Sequence, residues 1–331
     1  MKKNILFVSG LPDHHIVEVA SASLNGAVKY KYPGTCDFYL YMSPPDWNKR
    51  LIMLDKRSIP VELAEGTHYI FNQIAEPDTH SNVLDRLQHI CNKHPQIPVF
   101  NAPEHIALTR RDVVYQRLQG IKNLIIPQTL RFHPQSPQDI LNAVRESGMQ
   151  YPVILRTAGL HNSQGVVRLD SPEHLDVLHR FALDGRPYYL IQYHETAQQG
   201  VYTKHRVVMV RGQVFPRHIC AFDHWMIEFT KARAFMTSHP EYTEQETHFI
   251  QNFSGEFASQ LAPIAEAIYK KMPLDFVGID CCLLPSGEVM IFEINNNMLT
   301  LTCDPHNPSH VEAVVKIKTA IYEAVQKDLR R

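Results

Sequence analysis

The chain has no CxxC pair, no HExxH pair and no GxGxxG run. The first absence bears on its six cysteines, at 36, 91, 220, 281, 282 and 303, which read as reduced, partly buried thiols of a cytoplasmic protein. The second leaves the 19 histidines without metal-ligand spacing, so they read as surface or core residues. The third excludes a dinucleotide site after the first apolar run, residues 4–9. Charge of one sign is also missing: the formal net charge is -1, which gives a general nucleic-acid or anionic-membrane binder nothing to work with. No stretch approaches transmembrane length. The first apolar run is too short for a secretory signal, and acidic and histidine residues follow it directly. What remains is a soluble globular composition, 44% hydrophobic and 20% charged, over 331 residues, long enough for two or three subdomains.

The most informative stretch is 274–297, LDFVGIDCCLLPSGEVMIFEINNN. Two apolar runs meet at Pro285-Ser286-Gly287, and Ser286-Gly287 suits a two-residue turn, which predicts a β-hairpin. That register pairs Pro285 with Glu288, Asp280 with Glu293, and Gly278 with Asn295. It puts Ile279, Cys281 and Leu283 opposite Ile294, Phe292 and Met290 on an apolar face. Directly opposed residues have Cβ atoms roughly 5 Å apart. Two facing carboxylates repel unless one protonates or a cation sits between them. The oxygens of Asp280, Glu293 and Asn295 suit Mg²⁺ with phosphate. The competing arrangement pairs each acid separately with Lys or Arg.

An Asp, thirteen residues later a Glu, then Glu-x-Asn, resembles the metal-binding end of the ATP-grasp fold shared by D-alanine–D-alanine ligases and ribosomal-protein glutamate ligases. Those families usually continue into a Pro-Gly turn, where this chain reads NNMLTLTCDP. The run from Pro187 to Phe229 resembles a bacterial ATP-grasp branch, some members of which are fused to tetratricopeptide repeats; no such repeats occur here. The resemblance implies an α/β (α+β) fold with an N-terminal α/β domain at 1–100, a small ATP-grasp subdomain at 101–186 and a large one at 187–331.

Within that frame, residues 4–9, 37–42, 68–74 and 97–100 read as strands, and 14–24 and 82–91 as helices. They predict a small parallel layer with His14, His15 and Asn72 near strand ends. Thr109 is placed to cap a helix over 110–118. Strands are expected at 151–156 and 187–195, a hairpin around Arg211-Gly212, and helices over 136–147, 241–252, 255–271 and 309–329. The resemblance implies ATP-phosphate contacts from Arg111, chosen over Arg110, and from Arg156 and His161. It implies adenine contacts from the Gln192 side chain and the Tyr193 and His194 backbone, and ribose contact from Glu195. Lys204 and Arg206 share a strand face. With Arg217 they form the implied catalytic set, beside Mg²⁺ on Asp280, Glu293 and Asn295.

The implied activity is an ATP- and Mg²⁺-dependent carboxylate–amine or carboxylate–thiol ligase that works through an acyl phosphate. A small-molecule kinase and a non-catalytic nucleotide-binding regulator stay open as alternatives. The expected partner is a small-molecule or peptide substrate, with no nucleic acid and no membrane, and a homodimer is the assembly to test.

Overall fold

A computed structural model describes residues 2–57, 63–160 and 163–330. The first layer is a parallel sheet. Strand β1 (Lys3–Gly10) leads into a two-stranded ribbon, β2 (Glu18–Ala22) and β3 (Val28–Lys31), and a short helix α1 (Phe38–Tyr41). Strands β4 (Trp47–Leu54) and β5 (Tyr69–Asn72), helix α2 (Ser81–Lys93) and β6 (Val99–Phe100) complete it in the order β4-β1-β5-β6. Ile5 and Phe7 pack into one core and Leu6 and Val8 into another, so β1 is buried on both faces, as a parallel strand requires.

Two expectations for this layer fail, and one strand goes unread. Residues 14–24 do not form a helix, because Asn25-Gly26 closes a ribbon in which Ser23 N–H bonds to the Ala27 carbonyl. Residues 37–42 hold helix α1 rather than a strand, and Phe38 is buried among Phe71, Phe100 and Phe276. Strand β4 went unread because it is an edge strand with most side chains at least partly exposed, so its sequence lacks a clean apolar pattern.

Next come α3 (Pro103–Ile106), α4 (Arg111–Leu118) and β7 (Leu124–Ile125). Thr109 does not cap α4; its hydroxyl donates back to the Ile106 carbonyl at 2.8 Å. Strand β8 (Thr129–Phe132), helix α5 (Pro137–Ser147), β9 (Val153–Thr157), β10 (Val166–Leu169) and β11 (Tyr188–Gln192) build an antiparallel sheet ordered β10-β9-β11-β8. Helix α5 has a full capping box between Ser136 and Asp139, and it lays Ile140 and Val144 on Val153, Leu155 and Leu190.

The remainder is β12 (Tyr202–Val210), β13 (Gln213–Phe222), α6 (Phe229–Ser238), α7 (Pro240–Gln251), α8 (Ala258–Lys271), β14 (Phe276–Leu283), β15 (Val289–Asn295) and α9 (Pro308–Leu329). Its sheet runs β13-β12-β14-β15-β7. One face, with Val207, Met209, Val277, Ile279 and Ile294, shares a core with Phe249 of α7 and Ile264 and Ile268 of α8. The other carries Val208, Val210 and Phe276 against Ile317 and Ile321 of α9 and the aromatics of the first layer. The polar residues considered below lie on this second face, where the apolar contacts stop. All six cysteines are free thiols. Among the described residues no helix is long and apolar enough to cross a membrane.

Candidate nucleotide and acyl-transfer site

The β14–β15 hairpin pairs Asp280 with Glu293 and Gly278 with Asn295, as the sequence predicts, but through two compensating departures. The loop has three residues: Leu284 N–H bonds to the Glu288 carbonyl at 2.9 Å, and Gly287 takes a left-handed φ of +84°. The longer loop moves the register by one, so Cys281 faces Ile291 and Leu283 faces Val289. A bulge at Phe292 then absorbs the extra residue and restores the Asp280–Glu293 pair. The expected pairs Cys281–Phe292 and Leu283–Met290 are therefore wrong, while the carboxylate pair is right. The space left by Gly278 is filled by Met298, whose Sδ lies 2.6 Å from where a Cβ would stand.

The cation between the two acids is arginine. Arg206 Nε donates to Asp280 Oδ1 at 2.6 Å and Nη2 donates to Oδ2 at 2.9 Å, with Lys204 Nζ 3.1 Å from Oδ2. Burial works to raise the Asp280 pKa, but Arg206 and Lys204 outweigh it and hold the carboxyl below the usual range. Arg111 Nη2 lies 2.5 Å from Glu293 Oε1, and the same oxygen accepts from Asn295 Nδ2 at 2.7 Å. Asn295 Oδ1 in turn accepts from Asn297 N–H at 2.9 Å.

The three expected metal ligands thus share one face, yet their oxygens already bond to cations or amides. Among the described residues no three His, Cys, Asp or Glu side chains group to hold a metal. Lys204, Arg206 and Arg111 outnumber Asp280 and Glu293. This set does not fit a bare cation. It fits a divalent ion that arrives with phosphates able to draw the guanidiniums onto themselves.

A cleft beside the hairpin is lined by Arg110, Arg111, Arg156, Gly159, Leu160, Glu293 and Asn295, with Glu76, Asp78 and Tyr189 on its other side. Arg110 is engaged by Asp112 through two 2.8 Å bonds, which leaves Arg111, at the first turn of α4, as the arginine turned to the hairpin. Arg156, at the end of β9, donates to the Leu160 carbonyl at 2.6 Å. Burial, and then the neighbouring Arg111, lower its pKa to about 10. Two close, desolvated guanidiniums form a ready anion site. His161 lies outside the described residues. Asp78 and Tyr189 went unread in the sequence. Their 2.5 Å hydrogen bond joins residues 111 positions apart, and no local pattern signals it.

The strand end after β11 differs from the expectation. The Gln192 amide, expected to meet adenine, bonds instead to the Gln150 backbone, donating to its carbonyl at 2.8 Å and accepting from its N–H at 2.9 Å. Tyr193 N–H bonds to the Pro152 carbonyl at 3.3 Å, so that backbone donor is engaged too. The polar group expected on the ribose, Glu195, accepts from the Thr196 and Ala197 N–H groups and from the Tyr193 and Tyr202 hydroxyls. His194 is exposed at this strand end. The sequence did not single out Arg168 or Trp225. Arg168 lies over the Tyr193 ring at 4.9 Å, and the Trp225 ring meets Tyr193 edge-on at 6.1 Å.

Arg217 was expected to face the acids beside Arg206. It donates instead to the Thr300 carbonyl at 3.0 Å and to the Thr302 carbonyl, in the segment after the hairpin. The cause is a bulge: Arg206 pairs with His218 and Val207 with Pro216, so Arg217 is an extra residue outside the strict alternation.

With this geometry in place, the fold can be assigned: it is the ATP-grasp fold. The chain matches the D-Ala:D-Ser ligase VanG of Enterococcus faecalis with TM-score 0.58 at 13% identity, over 98% of this chain and 99% of that one. It matches the Bacillus anthracis D-alanine–D-alanine ligase complexed with ATP with TM-score 0.57 at 12% identity, over 99% and 98%. The D-alanyl-alanine synthetase A of Vibrio cholerae matches with TM-score 0.52 at 11% identity, over 99% and 98%. At such identities the likeness is one of fold. No protein-family model and no curated protein matches the sequence.

Proposed function

We propose that this protein is an ATP-dependent ligase joining a carboxylate to an amine or thiol. The observation that carries the reading is the convergence of Arg111 and Arg156 with Glu293 and Asn295 in one cleft, next to the Lys204–Arg206–Asp280 cluster. Nucleotide phosphates lie against Arg111 and Arg156. The base lies toward the 192–195 strand end, where Tyr193 and Trp225 offer aromatic surface and His194 its backbone. The three subdomains, 1–100, 101–186 and 187–331, then serve substrate and nucleotide between them. A substrate carboxylate oxygen attacks the γ-phosphorus and ADP leaves. The nucleophile then attacks the acyl carbon and inorganic phosphate leaves. Lys204 and Arg206 neutralise charge on the transferring group. Asp280, Glu293 and Asn295 are the residues that would hold Mg²⁺ with the phosphates, and the ion would add further charge neutralisation there.

The kinase alternative needs a base for a substrate hydroxyl. Glu195 is engaged by two tyrosines and two backbone N–H groups, and Asp223 is exposed past the end of β13. The regulator reading has one observation in its favour, the two-pronged hold of Arg206 on Asp280. A screen of acids for ADP release in the presence of hydroxylamine separates the three. Hydroxamate with ADP supports the ligase, a stable phosphorylated product establishes the kinase, and nucleotide binding with no turnover of any acid establishes the regulator. Glu293→Gln is expected to abolish turnover with the fold intact, and full activity in that variant removes Glu293 from the chemistry.

A further inference from the structure

The mechanism above leaves a buried basic cluster behind Arg206 unused. His218 faces Arg206 across the β12–β13 pair and Cys220 faces Lys204, so both share the face that carries Asp280. Arg217 reaches the same side, toward the carbonyls of Thr300 and Thr302. Arg233 of α6 joins from the sheet edge, held by Glu246 at 2.6 and 2.7 Å. Arg217, His218 and Thr300 are at most 6% exposed. Each has a buried polar side-chain atom with no hydrogen-bond partner: Arg217 Nη1, His218 Nε2 and Thr300 Oγ1.

Unpartnered buried polar atoms are costly, and three in one neighbourhood are hard to explain as packing. The charges agree. Lys204, Arg206, Arg217, Arg233 and, beside Glu293, Arg111 meet three carboxylates among the described residues, Asp280, Glu246 and Glu293, which leaves two positive charges in excess. Burial, and then Arg206, Arg217, Arg233 and Lys204, push the His218 pKa well down, so the ring is neutral and keeps one N–H to donate. Arg233, Lys204 and Arg206 are the partly exposed members, with side chains 28%, 19% and 16% exposed, while Arg217, His218 and Thr300 lie behind them.

We infer that Arg217, His218 and Thr300 form a substrate subsite for a doubly negative group, a phosphate or a second carboxylate. The subsite lies on the far side of Arg206 from the nucleotide cleft. The inference rests on the ligase reading and deepens it. The acid this protein activates carries a further anionic group, and Arg217, His218 and Thr300 hold that group while Lys204 and Arg206 meet the reacting carboxylate. The Thr300–Thr302 segment follows the hairpin, and its carbonyls fix the Arg217 fork with one nitrogen left over.

The experiment measures calorimetric affinity for inorganic phosphate and for malonate, without nucleotide, in the full chain and in Thr300→Val, Arg217→Lys and Arg156→Ala. The wild type is expected to bind one of the two dianions. The preference separates a phosphorylated acid from a dicarboxylic one. Thr300→Val removes only the unpaired hydroxyl, so it is expected to melt with the wild type and to bind the dianion about tenfold more weakly. Arg217→Lys keeps the charge, loses the fork, and is expected to lose about tenfold or more. Arg156→Ala is expected to lose the phosphate held in the nucleotide cleft and to keep the second dianion site, the one that Thr300→Val and Arg217→Lys weaken. Absence of dianion binding in the wild type overturns the inference. So does unchanged affinity in both folded variants, or a loss confined to Arg156→Ala, which places the anion in the nucleotide cleft. ADP affinity, measured in the same samples, tests the nucleotide reading separately. No ADP binding in the wild type would defeat that reading without altering the dianion result.

Discussion

Arg206 and Arg211 stand five residues apart on and just past the same strand, and each grips an aspartate of the β14 segment, but their surroundings differ. Arg211 Nε bonds to Asp275 at 2.7 Å, Nη1 to the Ala324 carbonyl at 3.1 Å and to Asp328 Oδ1 at 3.1 Å, and Nη2 to Asp328. Asp328 also accepts from the Tyr69 hydroxyl at 2.8 Å, and Asp275 from Asn101 N–H at 2.6 Å. One cation is thus enclosed by acceptors from α9 and the start of β14, and Tyr69 and Asn101 of the first layer donate to the same carboxylates. At Arg206 the balance is reversed. One aspartate is enclosed by Arg206 and Lys204, and buried donors beyond them lack partners. A satisfied centre joins elements. A centre with cations in excess awaits an anion.

The largest expected effect breaks the first centre. Arg211→Met leaves Asp275 and Asp328 buried without their cation, and is expected to lower stability by about 3–5 kcal/mol. Urea titration checks it, with ADP affinity of the remaining folded protein unchanged. A loss of under about 1 kcal/mol would mean that the Arg211 centre is no more structural than an exposed pair.

A third arginine centre sharpens the contrast. Glu246 accepts from Arg233 and from Ile219 N–H at 3.1 Å, and His310 Nε2 stands 3.3 Å away. Burial alone raises its pKa, but the His310 and Arg233 contacts prevail and bring it down to about 2. A depressed acid contributes stability fully present above its unfolded pKa of roughly 4.5, and that stability is lost as pH falls toward 2. The amount is about 3 kcal/mol. Acid titration of the wild type against Glu246→Gln is expected to show the wild type falling more steeply below pH ~4.5, with the two curves parallel above it. Parallel curves throughout would remove Glu246 from the structural centres.

The nucleotide cleft beside the second centre is probed through nucleotide. Arg156→Ala is expected to weaken ADP or ATP-analogue binding by about 1.5–3 kcal/mol while leaving the melting temperature nearly unchanged. Calorimetry decides, and unchanged affinity in both Arg156→Ala and Arg111→Ala refutes the placement of phosphate in the cleft.

What was legible in the sequence was what local spacing fixes. The parallel first layer and the paired carboxylates follow from patterns within one or two elements, whereas Arg111 and Arg156 are singled out by the resemblance to the ATP-grasp fold. What was not legible depends on contacts across the chain. The Gln192 amide is taken by Gln150, 42 residues away, and Arg217 by Thr300, 83 residues away. Neither partner leaves a trace near the residue itself. The ribbon at 18–31 is a different failure, because Asn25-Gly26 is a local hairpin signal that the helix reading passed over.

The smallest expected effect concerns the turn that sets the second centre's register. Gly287 has φ +84° and nothing within 4 Å of the position a Cβ would take. Gly287→Ala therefore meets no steric obstacle and costs only the left-handed backbone, about 1 kcal/mol. The bulge at Phe292 stands between this turn and the Asp280–Glu293 pair, so the strain stays on the turn side of the bulge. Stability is expected to fall by that amount, with ADP affinity unchanged. If Gly287→Ala weakened nucleotide binding as much as Arg156→Ala does, the bulge would not isolate the carboxylates. The loop and the bulge would then form one coupled device that sets the site, rather than two independent departures that happen to cancel.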